Sequence, residues 1–166
     1  MDTKKIKLVV TGGSGFIGTN LCSYLIDKNI SFLNIDIIKP KVDLQIPFWK
    51  KVDILNYEKL KNILEEFDPT HIIHLAASLG MDHKNLDGLS TNITGVQNLV
   101  DISNQLKNLK KVLFTSSLLV CKNGYIPKKD DDYCPPNFYG ESKMLGEKIV
   151  FRSALKFDWA IVRPSS

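Results

Sequence analysis

The residues best placed to do chemistry in this 166-residue chain are a tyrosine and a lysine four apart, Tyr139 and Lys143, in the run Tyr139-Gly-Glu-Ser-Lys143. On a helix, that spacing puts both side chains on one face. A phenol with an ordinary pKa of about 10 is a poor base at neutral pH, but a neighbouring ammonium or a cation bound beside it favours the phenolate. The pair can therefore take a proton from a hydroxyl. Ser117 ends the run Thr115-Ser-Ser117. From a strand end its hydroxyl can bond the same substrate oxygen and steady the alkoxide-like charge that develops as hydride leaves. A Tyr-x-x-x-Lys spacing also describes an ordinary surface helix, so its meaning depends on the elements that position it.

Those elements start at Thr11-Gly-Gly-Ser-Gly-Phe-Ile-Gly18. The aliphatic run Ile6-Lys-Leu-Val-Val10 before it has strand length, and Ile17, Leu21 and Leu25 after it recur at helical spacing. Strand, glycine turn and helix in this order bind a dinucleotide pyrophosphate. Gly12 can take the positive φ of the tight turn, Gly15 lets the backbone approach the pyrophosphate, and Gly18 lets the helix lie close to the sheet. The unpaired N–H groups near Phe16 and Ile17 would point at the anion. The spacing is GxxGxxG, not the GxGxxG of medium-length dehydrogenases. A second strand, Ser31 to Asp36, ends on an acid about 20 residues past the glycines, where a carboxylate can accept hydrogen bonds from the adenosine ribose hydroxyls. That favours NAD; Lys39 and Lys41 lie close enough to keep NADP open, and a turn-forming aspartate is the alternative role for Asp36.

Further on, residues Ile37 to Pro47 read as a loop and Phe48 to Ile54 as a third strand, with Asp53 either at the adenine edge or capping the amphipathic helix Asn56 to Phe67. Asp68-Pro69 stops that helix. His71 to Ala77 reads as a buried fourth strand whose small Ala76 and Ala77 leave room for something flat; His71 and His74, without a third ligand, read as packed histidines and not as metal ligands. A polar loop from Ser78 to Gly88 leads to a helix from Leu89 to Leu106, with Asn92 toward the same sheet edge. Lys111 to Ser117 gives a fifth strand, and Leu118 to Pro136 a long loop whose acids Asp130 to Asp132 read as solvated. Asn137 can cap the helix carrying Tyr139 and Lys143, and Asp158 to Arg163 gives a sixth strand. Alternating strands and helices imply a doubly wound parallel α/β sheet of Rossmann type, with strand order 3-2-1-4-5-6.

Composition limits the partners. The formal charge of +4 comes from scattered lysines without interleaved aromatics, so no nucleic-acid face is expected. Cys22, Cys121 and Cys134 are odd in number and lack a CxxC, which supports neither a disulfide framework nor a zinc site and fits a reducing cytoplasm. The apolar run behind the N-terminal lysines is too short for a signal peptide, and no run of about 18 apolar residues suggests a membrane span.

Taken together, TGGSGFIG, Asp36, Asp53-Ile54, His74-Leu-Ala-Ala77, Asn92 with Gly95, Thr115-Ser-Ser117, Tyr139-Gly-Glu-Ser-Lys143 and Arg163-Pro164 resemble the extended short-chain dehydrogenase/reductase family, in particular its NAD-dependent sugar epimerase/dehydratase branch. The resemblance runs the length of the chain. It implies that Tyr139 is the general base, that Lys143 binds the nicotinamide ribose and tunes the tyrosine, and that Ser117 positions the substrate hydroxyl. It gives the pyrophosphate to the turn from Gly12 to Gly18, the adenosine ribose to Asp36 and the adenine to Asp53 with Ile54. Leu75, Ala76 and Ala77 would line the cofactor cleft, and Asn92, Thr115 and Pro164 would complete the NAD-binding set.

Departures narrow the reaction. Dehydratases of the family carry an Asp-Glu or Ser-Glu pair directly after the catalytic Ser/Thr, and the fucose-synthase branch carries a cysteine there; this chain has Leu118 and Leu119. Where many members have Val-Tyr-Gly it has Val120-Cys121-Lys122, and Cys121 reads as a packing replacement. The expectation is an epimerase of a nucleotide sugar, with a carbonyl reductase and a non-catalytic dinucleotide-binding module as alternatives. The resemblance further implies a homodimer paired through the helices at Leu89 to Leu106 and Asn137 to Leu155. It also implies a C-terminal substrate domain, which is expected to be missing from a single Rossmann domain over residues 1–166.

Overall fold

The computed structural model describes residues 6–80 and 84–164; residues 81–83 of the expected loop, the N-terminal lysines at 4 and 5 and the chain end lie outside them. Among the described residues, six parallel strands form one sheet: β1 (Lys7–Thr11), β2 (Ser31–Asp36), β3 (Trp49–Lys51), β4 (His71–His74), β5 (Lys111–Thr115) and β6 (Asp158–Val162). Their order is β3-β2-β1-β4-β5-β6, as expected. The order reverses between β1 and β4, and there the ends of these two strands open a crevice for a ligand.

Period-two alternation divides the core. Leu8 and Val10 point to one face, where Cys22 and Leu25 of α1 (Phe16–Asp27) cover them together with Phe32. Val9, Leu33, Ile35, Ile72 and Val112 point to the other, under α2 (Tyr57–Phe67), α3 (Ser90–Ser103) and α4 (Phe138–Arg152). Both faces of β1 are thus dry at its centre, which is why Leu8, Val9 and Val10 are aliphatic in succession. Thr11 at its end is also fully buried.

Several elements are shorter than their apolar runs. The expected third strand pairs only from Trp49 to Lys51, and a 3-10 helix over Asp43–Phe48 replaces the end of the loop in front of it and the first residue of the strand. Packing is the reason: Phe48 leaves the ladder to stack on Phe32 with ring centroids 4.5 Å apart, and only Asn34, Ile35 and Asp36 of β2 have partners on β3. The fourth strand stops at His74, opposite Thr11, because β1 offers no further backbone there except the Thr11 carbonyl, which takes the Leu75 N–H. Asn56, not Asp53, caps α2, accepting from the Lys59 N–H at 3.0 Å.

Candidate functional site

The glycine turn is held mainly by the absence of side chains. Gly12 adopts φ +73°, and a Cβ there would lie 2.6 Å from the Ala76 nitrogen. Gly18 has a closer neighbour than the sheet: a Cβ on it would run into the Gly12 carbonyl and the Gly13 backbone, so this glycine lets α1 sit on the turn itself. Gly13 was not singled out in the sequence, yet a side chain there would collide with the amide of the buried Asn34. Gly15 differs. A Cβ on it would meet only the Gly12 carbonyl, at 3.3 Å, so its surroundings leave space for a ligand. Gly15 is also the N-cap of α1, which has no side-chain cap and no acidic residue in its first turn. Phe16 and Ile17 are exposed, at 89% and 51%, so the first turn of α1 is open to solvent, as an anion site requires.

Asp36 stands where expected, at the end of β2 beside this turn. Its carboxylate accepts from the Ser14 N–H and the Ile38 N–H, each at 2.9 Å. It is therefore both a turn aspartate and a clasp on the glycine loop, with lone pairs left for further donors. Asp53 is exposed and accepts from the Leu55 N–H. The Ile54 side chain is buried in the core, where the missing Cβ of Gly95 makes room for it. Only its backbone can face a cofactor. Across the crevice, Leu75 and Ala76 take their places through Thr11, whose backbone carbonyl and hydroxyl accept their N–H groups. Thr11 also bonds His74 Nδ1 at 2.7 Å, and burial holds that imidazole down to about 3. His74 is thus a neutral packed histidine.

Asn92 is a strut. Its Oδ1 accepts from the Ser78 N–H, and its Nδ2 donates to the Ser78 carbonyl and to the Ser142 hydroxyl, so one side chain ties the loop after β4, which includes Ala77, to both α3 and α4. Pro164 lies exposed just beyond β6.

The three residues of the expected catalytic set come together at the carboxyl edge of β5. Ser117 caps a short 3-10 turn, Leu118–Val120, and accepts from the Leu119 N–H at 3.1 Å, which leaves its own proton free to donate. α4 lies directly on that turn, because Gly140 has no Cβ to strike the Leu119 carbonyl. Asn137 starts α4 by accepting from the Gly140 N–H at 2.8 Å, as the sequence suggested. Contact between turn and helix start brings the Ser117 hydroxyl to the Tyr139 phenol. Burial pushes this phenol up from its ordinary value, and Ser117 pulls it back in part. The expected lowering by Lys143 is not found. The Lys143 ammonium is turned onto the Thr115 carbonyl, 2.8 Å away. Lys143 is buried and its own pKa falls to about 8, chiefly by desolvation, with Glu147 opposing. A small cavity of about 20 Å³ lies on the inner side of Lys143. Among the described residues, His74 Nε2, Thr115 Oγ1 and Ser116 Oγ have no hydrogen-bond partner, and all three residues line this cavity.

Sequence reasoning missed the ties around Glu147. This carboxylate is almost fully buried and takes Arg163 in a two-pronged pair, Nε at 2.8 Å and Nη2 at 2.6 Å, plus the Tyr133 hydroxyl at 2.9 Å. Arg163 Nη2 also donates to the Asp130 carbonyl. The end of β6, the long loop and α4 are thereby pinned together. The Glu147 position, four after Lys143 on the same helix face, was the available signal.

A family model described as the NAD dependent epimerase/dehydratase family matches residues 8–166. The chain belongs to that family. Relatives include a UDP-glucuronate 4-epimerase of Thermodesulfobacterium geofontis, 29% identical over 66% of this chain and 39% of its own length. A dTDP-D-glucose 4,6-dehydratase of Dictyostelium discoideum is 33% identical over 87% of this chain and 39% of its own. Among solved structures, the Bordetella bronchiseptica enzyme WbmG in complex with NAD superposes with a TM-score of 0.81 at 23% identity, covering 95% of this chain and 52% of that one. That likeness shows the fold. The chain spans less than half the length of the two curated relatives and about half that of the solved structure. NAD is the cofactor of the family to which this Rossmann domain belongs. No helix among the described residues is long and apolar enough to cross a membrane.

Proposed function

We propose that this Rossmann domain serves an NAD-dependent epimerase of a nucleotide sugar. The observation that carries the reading is that the two residues following Ser117, whose hydroxyl neighbours the Tyr139 phenol, are leucines, Leu118 being 53% exposed. Elimination of water needs an acid and a base next to the reacting carbons, and the positions at which the family's dehydratases carry them are apolar here.

The residues present fit a dinucleotide. The open space at Gly15, the uncapped start of α1, and Asp36 at the end of β2 would hold its phosphates and adenosine ribose, and Lys143 its nicotinamide ribose. When bound, NAD supplies a hydride acceptor that can also return the hydride. The chain's own residues handle the proton. Tyr139 takes it from the sugar hydroxyl and later gives it back to the same oxygen, and Ser117 donates a hydrogen bond to that oxygen while it carries negative charge. Burial opposes the phenolate and the Ser117 hydroxyl offsets that in part, while the Lys143 ammonium, held on the Thr115 carbonyl, would act by placing the nicotinamide ribose. Two copies would pair through the outer faces of α3 and α4, where a groove is lined by Ile93, Gln97, Leu145 and Ile149 together with Lys148, Arg152 and Ser153.

Incubating the enzyme with UDP-sugars and resolving the products by chromatography tests the reading. The expected result is a 4-epimer formed without net consumption of NADH, with the rate in Tyr139→Phe reduced by roughly 100-fold or more. Stoichiometric formation of NADH from NAD with a keto-sugar product would make the protein a sugar dehydrogenase/reductase instead.

A further inference from the structure

The loop between Ser117 and Tyr139 holds two cysteines that the proposed chemistry does not use. Cys121 and Cys134 are partners in an isolated parallel β-bridge, fixed by the Lys122 N–H donating to the Cys134 carbonyl at 2.6 Å and the Cys134 N–H donating to the Val120 carbonyl at 3.0 Å. Bridge partners project their side chains to the same side. Their backbones run about 5 Å apart, inside the Cα separation of roughly 4.4–6.8 Å that a disulfide spans. The Cys121 thiol donates to the Asp132 carbonyl at 3.5 Å. Both residues are free and only partly buried, within reach of a small reagent. The third cysteine makes a useful contrast: Cys22 is fully buried under the sheet, and desolvation pushes its thiol up to about 11.

We propose that Cys121 and Cys134 form a thiol modification site, closing into an intramolecular disulfide when a small disulfide such as oxidised glutathione is available. One cysteine thiolate attacks the glutathione disulfide, forming a mixed disulfide and releasing one glutathione thiol. The second thiolate displaces the other glutathione. The protein loses two protons and two electrons, one S–S bond forms, and the oxidant leaves as two thiols. The new bond closes the loop from residue 121 to 134 and clamps the Leu118–Val120 turn to the segment that enters α4. An odd cysteine count in a reducing compartment argues against a permanent framework, whereas a reversible pair on an exposed loop is compatible with it.

The test is to incubate the native protein with oxidised glutathione, alkylate the remaining thiols, digest without reduction and map the peptides by mass spectrometry. The expected product joins the Cys121 and Cys134 peptides within one chain, two hydrogen atoms lighter than their sum, with Cys22 alkylated only after unfolding. The Cys134→Ser variant should keep a glutathione adduct on Cys121 and release half as much glutathione thiol per protein as the wild type. Separate glutathione adducts on Cys121 and Cys134 in the wild type, or joined peptides found only between chains, would overturn the proposal.

Discussion

The two halves of the site are held by different forces. On the β1–β2 side, backbone packs on backbone: Gly12, Gly13 and Gly18 lie where a single methyl group would collide with the turn, with Ala76 or with Asn34. On the β5–β6 side, 21 residues separate Ser117 from Tyr139 along the chain, and the parts are joined by side-chain bonds, those of Glu147 with Arg163 and Tyr133 above all. The first arrangement is rigid and readable from glycine positions. The second gives long polar side chains the task of bringing a base to a hydroxyl, and it leaves the loop between them free to vary.

The sharpest way to break the contrast is Gly12→Ala. At φ +73° with the Ala76 nitrogen 2.6 Å from the added carbon, the variant should lose about 4 kcal/mol or more of stability, read as a fall in the urea midpoint; a loss below about 1 kcal/mol would mean that the turn yields easily. On the other side, Glu147→Gln removes the charge that pairs with Arg163. Because that carboxylate is almost fully buried, the variant should lose about 3 kcal/mol in the same measurement, with the loss spread through α4 and the loop in hydrogen exchange while β1 and β2 keep their protection.

These two predictions also mark what the sequence made legible. Glycines report a backbone requirement locally, so Gly12, Gly15 and Gly18, the acid at Asp36 and the strand order could be read from spacing, and the Asn137 cap and the Ser117, Tyr139 and Lys143 constellation from order along the chain. Glu147 with Arg163, Asn34 against Gly13, and the bridge between Cys121 and Cys134 could not, because each joins residues at least 13 apart through tertiary packing that no local pattern encodes. The third strand is shorter than its sequence pattern for a related reason: Phe48 fits a strand pattern, but stacking on Phe32 takes it out of the ladder. The tuning of Tyr139 depended on where the Lys143 ammonium points, and its bond to the Thr115 carbonyl is invisible in Tyr-x-x-x-Lys spacing.

A smaller effect links the halves through His74, which sits between Thr11 and the Lys143 cavity. Burial, with a smaller contribution from the Lys143 charge, lowers its pKa from 6.5 to about 3. Between those values the unfolded chain binds the proton and the folded one does not, so the contribution of His74 is complete above pH 6.5 and is lost as pH falls toward about 3. Thermal melts of the wild type and His74→Asn should diverge at neutral pH and converge on acidification, by at most about 1.4 kcal/mol per pH unit. A constant gap would show that His74 titrates normally.

Calorimetric titration of the protein with NAD and NADP, repeated with Asp36→Ala, tests most directly whether the glycine turn and Asp36 act as one NAD site. The expected result is saturable binding of NAD, weaker or no binding of NADP, and NAD affinity at least about tenfold lower in Asp36→Ala, a loss of ~1.4 kcal/mol. A protein that melts cooperatively yet binds neither dinucleotide, or that binds NAD equally well without the Asp36 carboxylate, would contradict it.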